Sequence, residues 1–283
     1  MYKRSIINLF AVSVVFLFCT ACSMNSQSSK EQMFATYANQ GFQKNIIRTS
    51  TFDIFALLRP ASMISDTLHV YIEGDGRAWI SRRRVSNNPT PVRSTTFDVA
   101  KKDPSTNAIL YLARPCQYTT SDSLCSPKYW TSHRLSSEVI TALNESIDKI
   151  KIKTQSKKIV LIGYSGGGPA AVLIASRRSD VVFLGSFAGN IDINKWTSWH
   201  KVSPLIGSQD PMQVAHSLSS IPQRHLTSFD DSIVPPAINK NFCDIIQKEN
   251  SCICIQGVEH SDDWYKVWDY NYKKIEKTTA QHP

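Results

Sequence analysis

The 283-residue sequence predicts an α/β domain, a doubly wound and mostly parallel sheet with helices on both faces. Short apolar, β-branched runs recur along the chain, and segments with helical apolar spacing separate them. One such run leads through a glycine-rich turn straight into a helical segment. Apolar residues make up 42% of the chain, which is enough for a sizeable core. With no internal repeat and no later linker, one domain is the economical reading.

Residues 1–21 stand apart from that domain. Lys3 and Arg4 form a positive start, Ile6 to Phe18 is almost wholly apolar, and small residues end the run. The run is too short to span a bilayer comfortably and reads as a secretory signal peptide. Thr20-Ala21-Cys22-Ser23 resembles a bacterial lipobox, although Cys19 stands where that pattern usually has Leu. Cys22 then becomes the lipidated N-terminus and a membrane anchor; ordinary cleavage near Ala21 is the alternative. Either way the mature protein is exported, to the periplasmic side of the bacterial envelope or to the cell surface. Residues 22–41 form the lipidated N-terminus and a polar tether, and 42–283 the folded domain. Losing Lys3 and Arg4 takes the formal charge from +9 to +7, a surplus suited to an anionic membrane or envelope polymer. There is no nucleic-acid motif, and export argues against that partner. Arg82-Arg83-Arg84 reads first as a solvated loop and second as a hold on an anionic substrate.

In chain order, 42–48 and 52–59 form an antiparallel opening pair. Strand-length apolar runs follow at 67–72, 108–113, 158–162, 181–186, 225–228 and 252–255. Helical patterns fall at 136–150, 168–178, 211–219, 236–248 and 262–275. In the first of these, Val139, Leu143, Ile147 and Ile150 share one face. Five cysteines lie in the domain: Cys116, Cys125, Cys243, Cys252 and Cys254. After export they are disulfide candidates. Cys116 and Cys125 flank a short polar loop and pair most simply; Cys243 meets Cys252 or Cys254, leaving one thiol over. No compact Cys/His cluster has zinc-ligand spacing, so neither a metal nor an organic cofactor is expected.

The chemistry concentrates at Lys158-Ile-Val-Leu-Ile-Gly163-Tyr164-Ser165-Gly166-Gly167-Gly168-Pro169. A strand runs into Gly-x-Ser-x-Gly, and a helix follows, as a nucleophile elbow requires. At so sharp a turn Ser165 must accept unfavourable backbone angles, and Gly163 and Gly167 lack the side chains that would block the neighbouring backbone. A phosphate-binding loop would end in Lys-Ser/Thr, and a dinucleotide fingerprint has different spacing. A serine hydroxyl needs a base. His260 supplies one, after the apolar run Cys252-Ile-Cys-Ile and a turn at Gly257. The orienting acid belongs after the preceding run, where Phe229-Asp230-Asp231-Ser-Ile-Val234-Pro235 offers two candidates.

These three parts, in the order Ser165, Asp231, His260, resemble the α/β-hydrolase superfamily over most of the exported domain. The resemblance selects Asp231, through an Asp-x-x-Val-Pro turn, and leaves Asp230 a turn residue. It implies the α/β-hydrolase fold and acyl transfer to water by a Ser-His-Asp triad. It also implies an oxyanion hole from the backbone N–H groups of Asp75 and Gly166. Where many members carry His-Gly, this chain has Glu73-Gly74-Asp75-Gly76-Arg77. Because carboxylates beside an oxyanion oppose catalysis, Glu73 and Asp75 are expected to point away and pair with Arg77 or Arg114. Trp130 is either a pocket wall or a core residue. The interval before Asp231 leaves no room for a large lid domain, though a loop at 190–207 is placed to cap the pocket. The expected substrate is a small or envelope-derived carboxylic ester. Amide or peptide cleavage by the same triad, and non-catalytic ligand binding in the envelope, are the alternatives.

Overall fold

The computed structural model describes residues 37–119, 124–247 and 251–268. The signal peptide, Cys22 and most of the tether fall outside them.

The main sheet has eight strands in the order β1-β2-β6-β3-β7-β8-β9-β10. β1 (Gln43–Arg48) and β2 (Asp53–Arg59) form the expected antiparallel opening, and β2 joins β6 (Ala108–Leu112) antiparallel. From β6 onward every pairing is parallel, through β3 (Thr67–Ile72), β7 (Lys158–Tyr164), β8 (Val181–Phe187), β9 (Gln223–Ser228) and β10 (Cys252–Ile255). Successive residues of a strand point to opposite faces, and here both faces are buried. Ala108, Leu110 and Leu112 enter one core cluster, while Ile109, Tyr111 and Ala113 enter the other.

Helices close the two faces. α1 (Thr95–Ala100) packs beside β6 and β3, on the face that also holds Trp264 and Trp268. α2 (Ser137–Thr154) lays Val139, Leu143, Ile147 and Ile150 on the other face and stops where Gln155 turns left-handed, at φ 55°. α3 (Gly167–Ala175) is buried along its whole length. α4 (Ile193–His200) and α5 (Pro236–Ile246) complete the helices used below. The 211–219 helix takes 3₁₀ form over Pro211–Leu218, because Met212, Ala215 and Leu218 recur every third residue and so favour the three-residue turn. In the C-terminal helical pattern, 262–264 form a bend and turn, 265–268 are helical, and 269–275 lie outside the described residues.

Several elements lack a sequence signal of their own, a 3₁₀ turn at Pro127–Trp130 among them. α1 is too short to show a period, and α4 buries only Ile193 and Thr197. A two-stranded hairpin, β4 (Trp79–Ser81) with β5 (Arg84–Val85), carries Arg82 and Arg83 at its turn. Between β8 and β9 the described chain holds α4 and the 3₁₀ segment, and no large lid domain.

Chain order reverses at β3, since β6 is added on one side and β7 on the other. The loops after β3 and β7 therefore open side by side at the C-terminal edge, the crevice where open α/β sheets bind ligands.

Candidate active site

Ser165 follows β7 directly with φ 48°, a left-handed conformation that costs a non-glycine residue about 1–3 kcal/mol. The surroundings hold it there. A Cβ on Gly163 would lie 2.1 Å from the Gly167 carbonyl oxygen, and one on Gly167 would lie 2.2 Å from that of Ile72. A side chain at Gly163 would force the turn itself open, and one at Gly167 would force the elbow off β3. The Ser165 carbonyl accepts from the Gly168 N–H at 2.9 Å, starting the helix under the serine.

Ser165 Oγ lies 3.1 Å from His260 Nε2, and His260 Nδ1 lies 2.8 Å from Asp231 Oδ2. With the carboxylate accepting at Nδ1, the neutral imidazole keeps its proton there and presents Nε2 as the acceptor for the serine hydroxyl. Asp231 is fully buried, and its Oδ1 accepts from the N–H groups of Ile233 and Val234, each at 2.8 Å. The turn thus aims the other oxygen at the ring. Asp230 faces elsewhere, taking the Gly257 N–H at 2.6 Å and so tying the acid turn to the histidine loop.

Tyr164, between Gly163 and Ser165, acts as a brace. Its hydroxyl donates to the His260 carbonyl at 2.8 Å, and its ring lies 5.3 Å from the imidazole and 5.2 Å from Phe187. Burial raises its pKa, which keeps the phenol a donor. Trp264 Nε1 reaches the same carbonyl at 3.0 Å. On the other side, Trp196 Nε1 and His200 Nε2 of α4 both meet the Ile233 carbonyl, at 3.0 and 2.8 Å.

The loop after β3 presses on the elbow. Asp75 and Gly166 are neighbours: a Cβ on Gly166 would lie 2.1 Å from Asp75 Oδ1. Two buried arginines hold that carboxylate, Arg134 Nη1 at 2.8 Å and Arg114 Nη1 at 3.6 Å. Arg114 also donates to the Gly166 carbonyl at 2.7 Å and to the carbonyl of Arg134. Burial pushes the Arg114 pKa down to about 10, which still leaves it charged at neutral pH. Arg134 caps the Trp196 ring at 4.8 Å and is the one member of this cluster that carried no sequence signal.

The expected pairing holds for Asp75 with Arg114 and fails for Glu73. Glu73 accepts instead from Thr96 at 2.6 Å, Tyr111 and the Gly74 N–H at 2.8 Å, and Ser94. The reason is topological, since α1 brings two hydroxyls to the end of β3 and Tyr111 reaches across from β6. Burial raises the Glu73 pKa. Both carboxylates border the cavity at Ser165 rather than turning away from it.

That cavity measures about 430 Å³, and Ser165, His260, Arg77, Trp79 and Arg93 are among its walls. Trp130 is not among them. It is buried in the core, with its Nε1 on the Ser86 carbonyl at 3.0 Å. No residue of 190–207 borders the cavity either, so that segment braces the acid turn and does not cap the pocket. Disulfides join Cys116 to Cys125 and Cys243 to Cys252, leaving Cys254 an exposed thiol on β10. Among the described residues no cluster of His, Cys, Asp and Glu is arranged to hold a metal ion, and no helix is long and apolar enough to cross a membrane.

No family model and no curated protein matches the chain. Solved structures do. An α/β serine hydrolase homologue from Coxiella burnetii superposes with a TM-score of 0.56 at 12% identity, over 81% of this chain and 94% of that one. A Pyrococcus furiosus esterase gives 0.59 at 13%, over 86% and 91%. An acylaminoacyl peptidase from Pyrococcus horikoshii gives 0.58 at 12%, over 83% of this chain but 42% of its own. At these identities the likeness is one of fold, and the fold is that of the α/β-hydrolases.

Proposed function

We propose that this protein is a serine hydrolase that transfers an acyl group to water through Ser165, with a carboxylic ester as the substrate class. The observation that carries the reading is the continuous hydrogen-bond line from Ser165 through His260 to buried Asp231, opening on a cavity. Ser165 attacks the carbonyl while His260 takes its proton; His260 then returns the proton to the departing oxygen as the acyl–oxygen bond breaks. Water repeats the sequence on the acyl-enzyme and releases the acid. Asp231 holds the tautomer and stabilises the imidazolium. The N–H groups of Asp75 and Gly166, beside the first turn of α3, serve the developing oxyanion.

The likeness to a peptidase sustains amide cleavage as a second reading. The ester reading is put first because the likeness extends over 91% of the esterase and over 42% of the peptidase. The two disulfides support an oxidising compartment, in keeping with export and with an anchor at Cys22.

The test is a fluorophosphonate probe with mass-spectrometric mapping. The expected result is a single adduct on Ser165, absent in Ser165→Ala and His260→Ala. A well-folded wild-type protein that takes up no probe and turns over no acyl substrate would move the reading to non-catalytic ligand binding.

A further inference from the structure

Resting on the hydrolase reading, we propose that the substrate is an ester carrying a second, anionic group, a carboxylate or phosphate, which Arg77 engages at the mouth of the cavity. The charges around Ser165 are unequal in their partners. Asp75 is shared by two arginines, Arg114 and Arg134. Arg93 is held by Asp98 and Asp263, at 2.8 and 2.6 Å, and a lysine also claims each of those carboxylates, Lys101 and Lys266. Glu73 is enclosed by its four protein donors. Arg77 lines the same cavity, is exposed, and takes part in no ion pair among the described residues.

Its backbone, by contrast, is pinned. The Arg77 N–H donates to the Pro89 carbonyl at 2.9 Å. Gly76 before it sits at φ 62°, where a Cβ would strike that same carbonyl at 2.1 Å. Ala78 after it is buried, and its carbonyl accepts from Ser86 at 3.0 Å. A fixed root with an unclaimed guanidinium gives a preset anion partner whose ordering cost is already partly met. Trp79, half exposed on the same wall, offers an apolar face for the chain between the ester and the anion. Beyond it Arg82, Arg83 and Arg84 extend the positive field outward.

The experiment compares kcat/KM for matched esters on the full chain. One pair, para-nitrophenyl hexanoate and the para-nitrophenyl monoester of adipate, differs by a carboxylate on the acyl side. The other, monobutyrin and its glycerol phosphate counterpart, differs by a phosphate on the alcohol side. The anionic member of at least one pair is expected to be preferred by roughly tenfold, the scale of one charged hydrogen bond, and by less as salt is raised. That pair also shows which side of the scissile bond faces Arg77. Arg77→Gln brings the ratio near one and Arg77→Lys restores most of it. Arg177→Gln removes an equal charge at the opposite edge of the sheet and leaves the ratio as in wild type. Hydrolysis with no anionic preference in either pair, or a preference indifferent to Arg77, overturns this inference and spares the hydrolase reading. A failure of Ser165 to react with the probe overturns both.

Discussion

Among the described residues two serine–histidine pairs join side chains far apart in sequence, and their local geometries are nearly alike. In one, Ser165 lies 3.1 Å from His260, which meets Asp231 at 2.8 Å. In the other, Ser186 lies 2.8 Å from His225 Nδ1, and His225 Nε2 meets Gln223 at 3.0 Å. By hydrogen-bond length alone the second pair is the tighter. It differs in the third partner, in backbone and in access. Gln223 donates to the Leu218 carbonyl, so its amide oxygen faces His225, but a neutral oxygen stabilises no imidazolium. Ser186 lies within regular β8, whereas Ser165 is forced to positive φ. Ser186 and His225 are each 1% exposed; the first pair lines a cavity. Burial drives the His225 pKa down to about 3, so the ring stays neutral and fills space. A serine beside a histidine is thus no nucleophile by that fact, and the charged third partner and the opening to solvent set the pairs apart.

The comparison breaks most sharply at the serines. Ser165→Ala is expected to lower kcat by about a millionfold, while Ser186→Ala keeps turnover and loses stability on the order of 1 kcal/mol. Steady-state kinetics and thermal melts on both variants check this. If Ser186→Ala abolished activity in a folded protein, the contrast would be wrong. The third partner comes next. Asp231→Asn retains an acceptor for Ile233 and Val234 but loses the charge, and kcat should fall by about 10⁴ with melting little changed.

A smaller effect tests the loop beside the elbow. Asp75→Asn leaves buried Arg114 and Arg134 uncompensated, with an expected loss on the order of 3 kcal/mol and a fall in kcat as the brace on Gly166 loosens. Denaturant titration and kinetics report both. A sharp rise in turnover would mean that the carboxylate repels the oxyanion more than it orders the loop. The gentlest probe is pH. His225 binds a proton in the unfolded chain near its ordinary 6.5 but in the folded protein only near about 3. Its contribution is therefore complete above 6.5 and is lost as pH falls through that window, amounting to a few kcal/mol. The melting temperature of His225→Asn should fall less steeply across the same range than that of wild type.

Near-neighbour rules explain what the sequence revealed. The elbow is legible because a Cβ on Gly163 would strike Gly167 only four residues on, whereas the need for Gly167 comes from Ile72 of β3. The stripe on α2 is legible because a helix returns to the same face every turn. The acid turn is legible because Asp231 binds the N–H groups two and three residues ahead of it. The partition of strands between two faces follows from alternation, as β6 illustrates. Boundaries moved where contacts from elsewhere decided them: β7 runs on to Tyr164 because Phe187 pairs beside it.

The sequence by itself determined the layered α/β pattern and the local shapes that present Ser165, Asp231 and His260. Only the tertiary structure decided who meets whom at long range. It chose Cys252 over Cys254 for Cys243, and it placed Arg134 on Asp75 across 59 positions. It set α1's hydroxyls, and not an arginine, on Glu73, and it sealed His225 while leaving His260 open to a cavity. The reason is physical: turn and period preferences act between near neighbours and are written in spacing. Charge pairing and access depend on which surfaces the packed sheet brings together, and no local pattern encodes that.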